Sequence, residues 1–267
     1  MARRGPRARS AVREVPWGWA AGGIACGLLI ALVLFAPARW LAAAVTQATR
    51  GQVVINEPRG TVWDGSGQLV LTGGAGSKDA AALPGRLRWE LAPRWNGAVA
   101  ELRADCCMQR ALAVRVRVGV RGLDVDIGDS VSQWPAGIAV GLGTPWNTLQ
   151  LDGELRLSTQ GLSVEWVAGR PVVTGRAELV ALRLASRLST LRPMGSYRIT
   201  LQGGSSTTLR LETLDGSLQL SGSGQWVGSR LRFQGEASAA PDREAALANL
   251  LNIIGRRSGS RSLITIG

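Results

Sequence analysis

The chain predicts a mainly β fold: a single N-terminal apolar helix, then an antiparallel, curved β-sheet domain (sandwich, partial barrel or open groove) with one C-terminal amphipathic helix. Three observations carry this reading. Pro16 to Ala36 contains no charged residue. Most of the chain beyond residue 50 alternates apolar and polar residues with period two, the pattern of a sheet covered on one face and wet on the other. Glycine, 35 residues in all, stands in nearly every intervening turn.

Residues 1–15 carry Arg3, Arg4, Arg7, Arg9 and Arg13 against the single Glu14, a basic cytoplasmic tail by the positive-inside rule. At about 1.5 Å per residue, residues 16–36 are long enough for a hydrocarbon core of about 30 Å. The run exceeds the roughly 7 to 15 apolar residues of a secretory leader, and Trp17, Trp19 and Trp40 sit near its ends like interfacial anchors. The expectation is an uncleaved, single-pass transmembrane helix, with a cleaved leader as the alternative and the rest of the chain on the far side of the membrane. Residues 37–50 continue as a juxtamembrane helix, with Trp40, Leu41, Ala44, Val45 and Ala48 at helical spacing. Gly51 stops it, and residues 51–267 form the β domain.

Within that domain, Gln52 to Glu57 reads as the first strand, and Gly60 to Gly74 as a hairpin around Asp64-Gly65. Gly85 to Leu91, Leu112 to Val120, Leu149 to Leu157, Leu162 to Val167, Val172 to Leu184 and Tyr197 to Leu201 repeat the alternation. Leu209, Leu211, Leu218, Leu220, Leu231 and Phe233 complete it. A short helix is expected at Ser186 to Leu191, and a pivot between two sheets in the Gly- and Pro-containing stretch Gly137 to Trp146. The C-terminal helix is expected to open at Pro241, present Leu247, Leu250, Leu251 and Ile254 as one stripe, and close at Gly255. Leu263 to Ile266 is then either an edge strand or a tail.

The chemistry expected of this chain is mostly exclusion. It has no histidine, so neither Ser-His-Asp nor Cys-His catalysis is open to it. Glycines at 65–67 and 222–224 lead into no helix that would hold a phosphate and read as turns. Asp124 and Asp126 share a strand face, but strand carboxylates solvated among arginines explain them better than acid/base work. No enzyme activity, cofactor or metal site is expected. The formal charge is +12, yet Lys78 is the only lysine and the arginines are scattered along strands, which does not describe a nucleic-acid surface. A basic face toward anionic lipid or an acidic partner is the sharper alternative to a merely solvated one. Cys106 and Cys107 are a candidate disulfide: a bridge between neighbours suits an oxidising compartment but is strained.

Three late segments are the most specific: Pro193-Met194-Gly195-Ser196-Tyr197, the hairpin from Leu211 through Gly216, Gly222 and Gly224 to Trp226, and Leu231-Arg232-Phe233-Gln234-Gly235. With Gly60-Thr61-Val62-Trp63-Asp64-Gly65 and the helix end Leu250 to Arg256, they resemble the type II secretion system protein N family of Gram-negative bacteria. Met194 stands where that pattern has leucine, a volume-conserving exchange. Gly60, Trp63, Gly65, Pro193, Gly195, Tyr197, Gly216, Gly222, Gly224 and Trp226 carry the resemblance, and a structural role explains them better than a binding one. The resemblance implies a non-enzymatic inner-membrane component of the type II secretion system. Its periplasmic domain would contact other subunits of the apparatus during export of folded proteins across the outer membrane. The alternative is a membrane-tethered periplasmic β-groove protein that binds or transfers lipid.

Overall fold

The computed structural model describes residues 17–74, 76–119, 122–167, 170–228 and 230–267. The basic tail, Pro16 and Val120 lie outside them. Contacts divide the chain into one unit ending at Ala36 and another running from Pro37 to Gly267. The first holds helix α1 (Trp17–Leu34), 18 residues with no charge among them. It is apolar all round, leaving Ile24, Leu28, Leu29 and Val33 exposed. Its 18 residues rise about 27 Å, short of a core of about 30 Å. Among the described residues no helix is long and apolar enough to cross a membrane, so the span expected over 16–36 is only partly matched by this helix.

The second unit opens with α2 (Ala38–Ala48), whose Ala38 and Ala42 are buried against Ile55 and Trp89. Thr49 ends it: its hydroxyl donates to the Val45 carbonyl at 2.8 Å and accepts from the Val53 amide at 3.1 Å. Gly51, at φ +80°, then reverses the chain into the sheet.

The strands are β1 (Val53–Gly60), β2 (Asp64–Thr72), β3 (Ala80–Ala82), β4 (Leu87–Arg94), β5 (Gly97–Ala104), β6 (Leu112–Gly119), β7 (Gly122–Ile127) and β8 (Ser130–Pro135). A 3₁₀ segment (Ala136–Leu142) and α3 (Trp146–Leu149) follow. Then come β9 (Leu151–Val167), β10 (Arg170–Ser186), β11 (Gly195–Gln202), β12 (Thr208–Gly216), β13 (Leu218–Val227) and β14 (Arg230–Ala239). The chain finishes with α4 (Glu244–Ile254), β15 (Arg256–Ser258) and β16 (Arg261–Ile266). All pair antiparallel in one sheet of order β1-β2-β4-β5-β6-β7-β9-β10-β11-β12-β13-β14-β16-β15, with β3 joined to β2 and β8 to β9. The two ends, β1 and β15, do not meet. Of the three architectures compatible with the alternation, the sheet takes the open one.

Several expectations are corrected by local chemistry. The two strands expected at Leu149 to Leu157 and Leu162 to Val167 are one, β9, which begins only at Leu151 because Leu149 ends α3 and Gln150 takes φ +42°; a bulge interrupts it, Arg176 facing Gln160 while Thr174 faces Ser163. Ser186 to Leu191 is not a helix but two serine turns, in which the Ser186 and Ser189 hydroxyls accept from the Leu188 and Leu191 amides at 3.2 and 3.1 Å; such local bonds compete with helix formation. The stretch 137–146 is not a pivot between two sheets, since the strands before and after it belong to one sheet. It packs into the sheet so closely that a Cβ on Gly141 would lie 2.3 Å from the Leu71 carbonyl oxygen. The C-terminal helix starts at Glu244 rather than Pro241, because Asp242 takes φ +62° in a preceding turn. Glycines 65–67 and 222–224 lie inside β2 and β13 instead of turns. The last segment is a hairpin docked on β14, not a loose tail.

The apolar face is covered unevenly. Toward one edge, α4 sets Leu247, Leu250 and Leu251 against Leu184, Met194, Tyr197, Leu218 and Ala237. Leu83, Leu87, Ala104 and Cys107 form a second cluster, with Trp134 and Ile138 packed on it. The hairpins after Arg94, Gly119, Val167, Gln202 and Val227 all reverse at the opposite edge, hereafter the rim. Pro37 pairs with Thr61 at that same edge, so the chain enters the unit at the rim. Leu247→Ala removes a side chain that is 0% exposed and is expected to cost about 2–5 kcal/mol. Leu214→Ala, 40% exposed on β12, is expected to change stability by no more than about 0.5 kcal/mol. Urea unfolding of both variants, followed by circular dichroism, checks the contrast.

Candidate functional site

The residues with the strongest charge chemistry lie on the polar face of the sheet. Asp124 and Asp126, successive outward positions on β7, both reach Arg117 on β6, at 2.9 and 2.7 Å. The hydrogen bond that the Arg117 guanidinium donates to Asp124 and the charges of Asp126 and Asp124 hold that guanidinium above its ordinary pKa. The two carboxylates are therefore engaged with a cation already in the protein. The same motif recurs across β10, β11 and β12, where Arg198 lies 3.5 Å from Glu178 and 2.9 Å from Glu212, and Arg176 lies 2.6 Å from Glu178. Arg261 and Glu236 extend it to β16 at 3.1 Å. Pairs this exposed each contribute about 0–1 kcal/mol; collectively they make an ordered, solvated outer face. The signal for this lattice was present in the alternating arginines and carboxylates, but the partner of each charge depends on strand register.

Among the described residues no three His, Cys, Asp or Glu side chains gather to hold a metal. An open cleft of about 550 Å³ is lined by Val140, Gln150, Leu151, Asp152, Arg187 and Arg192. It presents one carboxylate and two guanidiniums, with no nucleophile beside them.

The residues singled out in the sequence fall into three places. At the start, Gly65 leaves room for the Trp89 ring, since a Cβ there would sit 2.5 Å from it. The Trp89 indole N–H in turn is shared between the Thr61 and Val62 carbonyls at 3.3 and 3.1 Å. Gly60, at φ +85°, turns the chain toward Trp63, whose carbonyl accepts from the Leu91 amide at 2.6 Å.

The second place is a corner. Pro193 leads Met194 into the core, 2% exposed, and the Met194 carbonyl accepts from the Ser217 and Leu218 amides at 2.8 and 3.1 Å. Gly195 lies opposite Gly216; a Cβ on Gly216 would fall 2.2 Å from the Gly195 Cα. The Tyr197 hydroxyl donates to the Leu218 carbonyl at 3.1 Å. The third place is β13, where Gly222 lets Phe233 lie across the sheet, a Cβ there coming within 2.4 Å of its ring. Trp226 is half-buried near the rim. Trp89 and Phe233, the rings these glycines accommodate, are buried at 2% and 5% exposure.

Cys106 and Cys107 are joined by a disulfide in the turn between β5 and β6. That turn docks on β8: the Cys107 carbonyl accepts from the Gln133 amide at 2.8 Å, and Met108 pairs with Ser132. Cys26, on α1, is free and exposed.

Burial, with a smaller contribution from the Asp215 charge, pushes the Tyr197 phenol well above its ordinary pKa. An unfolded chain ionises this group near pH 10 while the folded chain keeps the proton, so the unfolded state binds fewer protons and stability falls as pH rises above about 10. Tyr197→Phe is expected to cost about 1 kcal/mol at neutral pH through the lost hydrogen bond. It should also remove this alkaline loss. Denaturant titrations at pH 8 and pH 11 check both.

No curated protein and no solved structure matches the chain. Residues 51–264 match the family model for type II secretion system (T2SS), protein N. The match runs from the turn after α2 almost to the end of β16, so it takes in the glycine-accommodated rings, the Pro193 to Tyr197 corner and all of the sheet but the last two residues of β16. The chain belongs to the type II secretion system protein N family and is a type II secretion component.

Proposed function

We propose that this chain is a non-enzymatic, single-pass inner-membrane component of the type II secretion system. In this reading its short N-terminus is cytoplasmic and its β domain periplasmic, making protein contacts with other subunits of the apparatus. The observation that carries the reading is the family match over residues 51–264, which runs from β1 into β16. Further support for anchoring comes from α1, an uncharged helix with exposed apolar side chains on all sides, a composition suited to lipid. The arginines at positions 3, 4, 7, 9 and 13 support the orientation, and the Cys106–Cys107 bridge suits an oxidising compartment. A non-enzymatic role is supported by a chain without histidine whose carboxylates on the polar face engage arginines. That ordered face and the short, charged edge strand β15 offer surfaces for docking.

Deleting the gene in its own background is expected to abolish or strongly reduce secretion of type II substrates; unchanged export of every such substrate refutes the role. Replacing residues 17–34 by an unrelated leucine-rich span of equal length tests whether the segment only anchors. Retained secretion, read by substrate in the culture medium, is the expected outcome. Loss of secretion with the β domain still folded and membrane-bound means that the helix itself contacts a partner.

A further inference from the structure

The apolar face of the sheet is sealed on one side of its height and open on the other. Strand pairing aligns its side chains into rows. Ala98, Val116, Val125, Val164 and Val173 form one across β5, β6, β7, β9 and β10. Leu157, Leu179, Ile199 and Leu211 form another across β9 to β12. These side chains are half-exposed, and nearer the rim the exposure rises to 62% at Val118, 36% at Leu123 and 38% at Trp166. Away from the rim the same face is closed by α4, Met194, Tyr197 and Leu218 at 4% exposure or less. The result is an apolar trough with a floor and a mouth, and a continuous apolar surface of this kind marks a binding site.

The rim identifies what enters. Trp95 is fully exposed at a hairpin tip, and Trp166 and Trp226 stand at the rim end of the trough face, the amphipathic rings favoured where hydrocarbon meets headgroups. Arg94, Arg230 and Arg232 are exposed on the same edge, at register positions of the polar face: Arg94 opposite Gly97, Arg230 opposite Val227 and Arg232 opposite Gln225. None of them takes part in a described ion pair, while the carboxylates at that edge outside such pairs are Asp64 and Glu165. These arginines make the outer side of the rim basic at the height where headgroups lie. From Tyr197 at the floor to Gln202, β11 rises about 17 Å at 3.3 Å per residue. That matches the roughly 15 Å of one leaflet's hydrocarbon. A hydrocarbon chain also asks for no hydrogen-bond partners, and the rows described supply none.

We propose that the trough holds an acyl chain of a bilayer phospholipid, entering at the rim, with its headgroup among the rim tryptophans Trp95, Trp166 and Trp226. The site is independent of which secretion subunits the chain contacts.

The test uses the full chain in detergent micelles, with a photo-crosslinking amino acid placed singly at Val125, Val164 or Leu209 in the trough and at Arg115, Ser163 or Arg210 on the polar face. Each protein is mixed with vesicles of phosphatidylethanolamine and phosphatidylglycerol, irradiated, and weighed by intact mass spectrometry. The expected result is an adduct of phospholipid mass at the trough positions and none at the polar ones. Leu201→Gln, verified as folded by circular dichroism, should lower the Val164 adduct roughly tenfold, the loss expected when an amide is desolvated beside the chain. Equal labelling of both faces, absence of adduct from the trough, or trough adducts with the mass of a second copy of the chain would each overturn the proposal. Because the readout is mass and not secretion, its failure is distinguishable from failure of the secretion role.

Discussion

An antiparallel meander has one face to bury and must find something to bury it against. Here 57% of the described residues are in strands, and among the described residues the β unit has few other elements with which to cover the sheet: α2, the 3₁₀ segment with α3, and α4. Hydrophobic burial scales with area removed from water, about 25 cal/mol per Å², so each cover stabilises only the strands it reaches. The buried side chains accordingly gather where those elements lie. Beyond them the face remains apolar in composition and half-exposed in fact.

Glycine makes this economy workable at a few positions. Gly65 and Gly222 give up their own side chains so that Trp89 and Phe233 lie flat across neighbouring strands, and a large ring covers what several small side chains would leave open. In the middle of the sheet Gly175, at φ +79°, crosses so near β9 that a Cβ would lie 2.0 Å from the Gly161 carbonyl oxygen. The bulge there adds one residue to β9 and re-phases its alternation, so that Leu157 and Val164, of opposite parity, still face the same side. It also divides β9 between two partners, β7 toward the rim and β8 away from it.

The opposite face follows a different rule. Its charges are arranged as arginines set between carboxylates on adjacent strands, as with Arg198 between Glu178 and Glu212. Such cross-strand pairing adds little stability per pair, but it keeps a wide sheet soluble and gives it a patterned surface. The contact role proposed for this secretion component has use for both properties.

The class of the fold, its antiparallel strands, the stripe of the last helix and the unsuitability of the chain for histidine chemistry were legible in the residues, because period-two and period-3.6 alternation and residue identity are local. The family was legible too, in the Pro193 to Tyr197 corner and the glycine hairpin beyond it. Long-range geometry was not. The union of 151–167 into one strand rests on a bulge visible only once Gly175 is laid against Gly161. The turns at Ser186 and Ser189 are reinforced by distant acceptors, the carbonyls of Leu149 and Ala246. Whether the sheet closes also had to await the fold, since alternation is identical in a sandwich, a barrel and an open trough. What separates them is which strands end up at the edges, and that depends on the summed twist and pairing of the whole sheet rather than on any one segment.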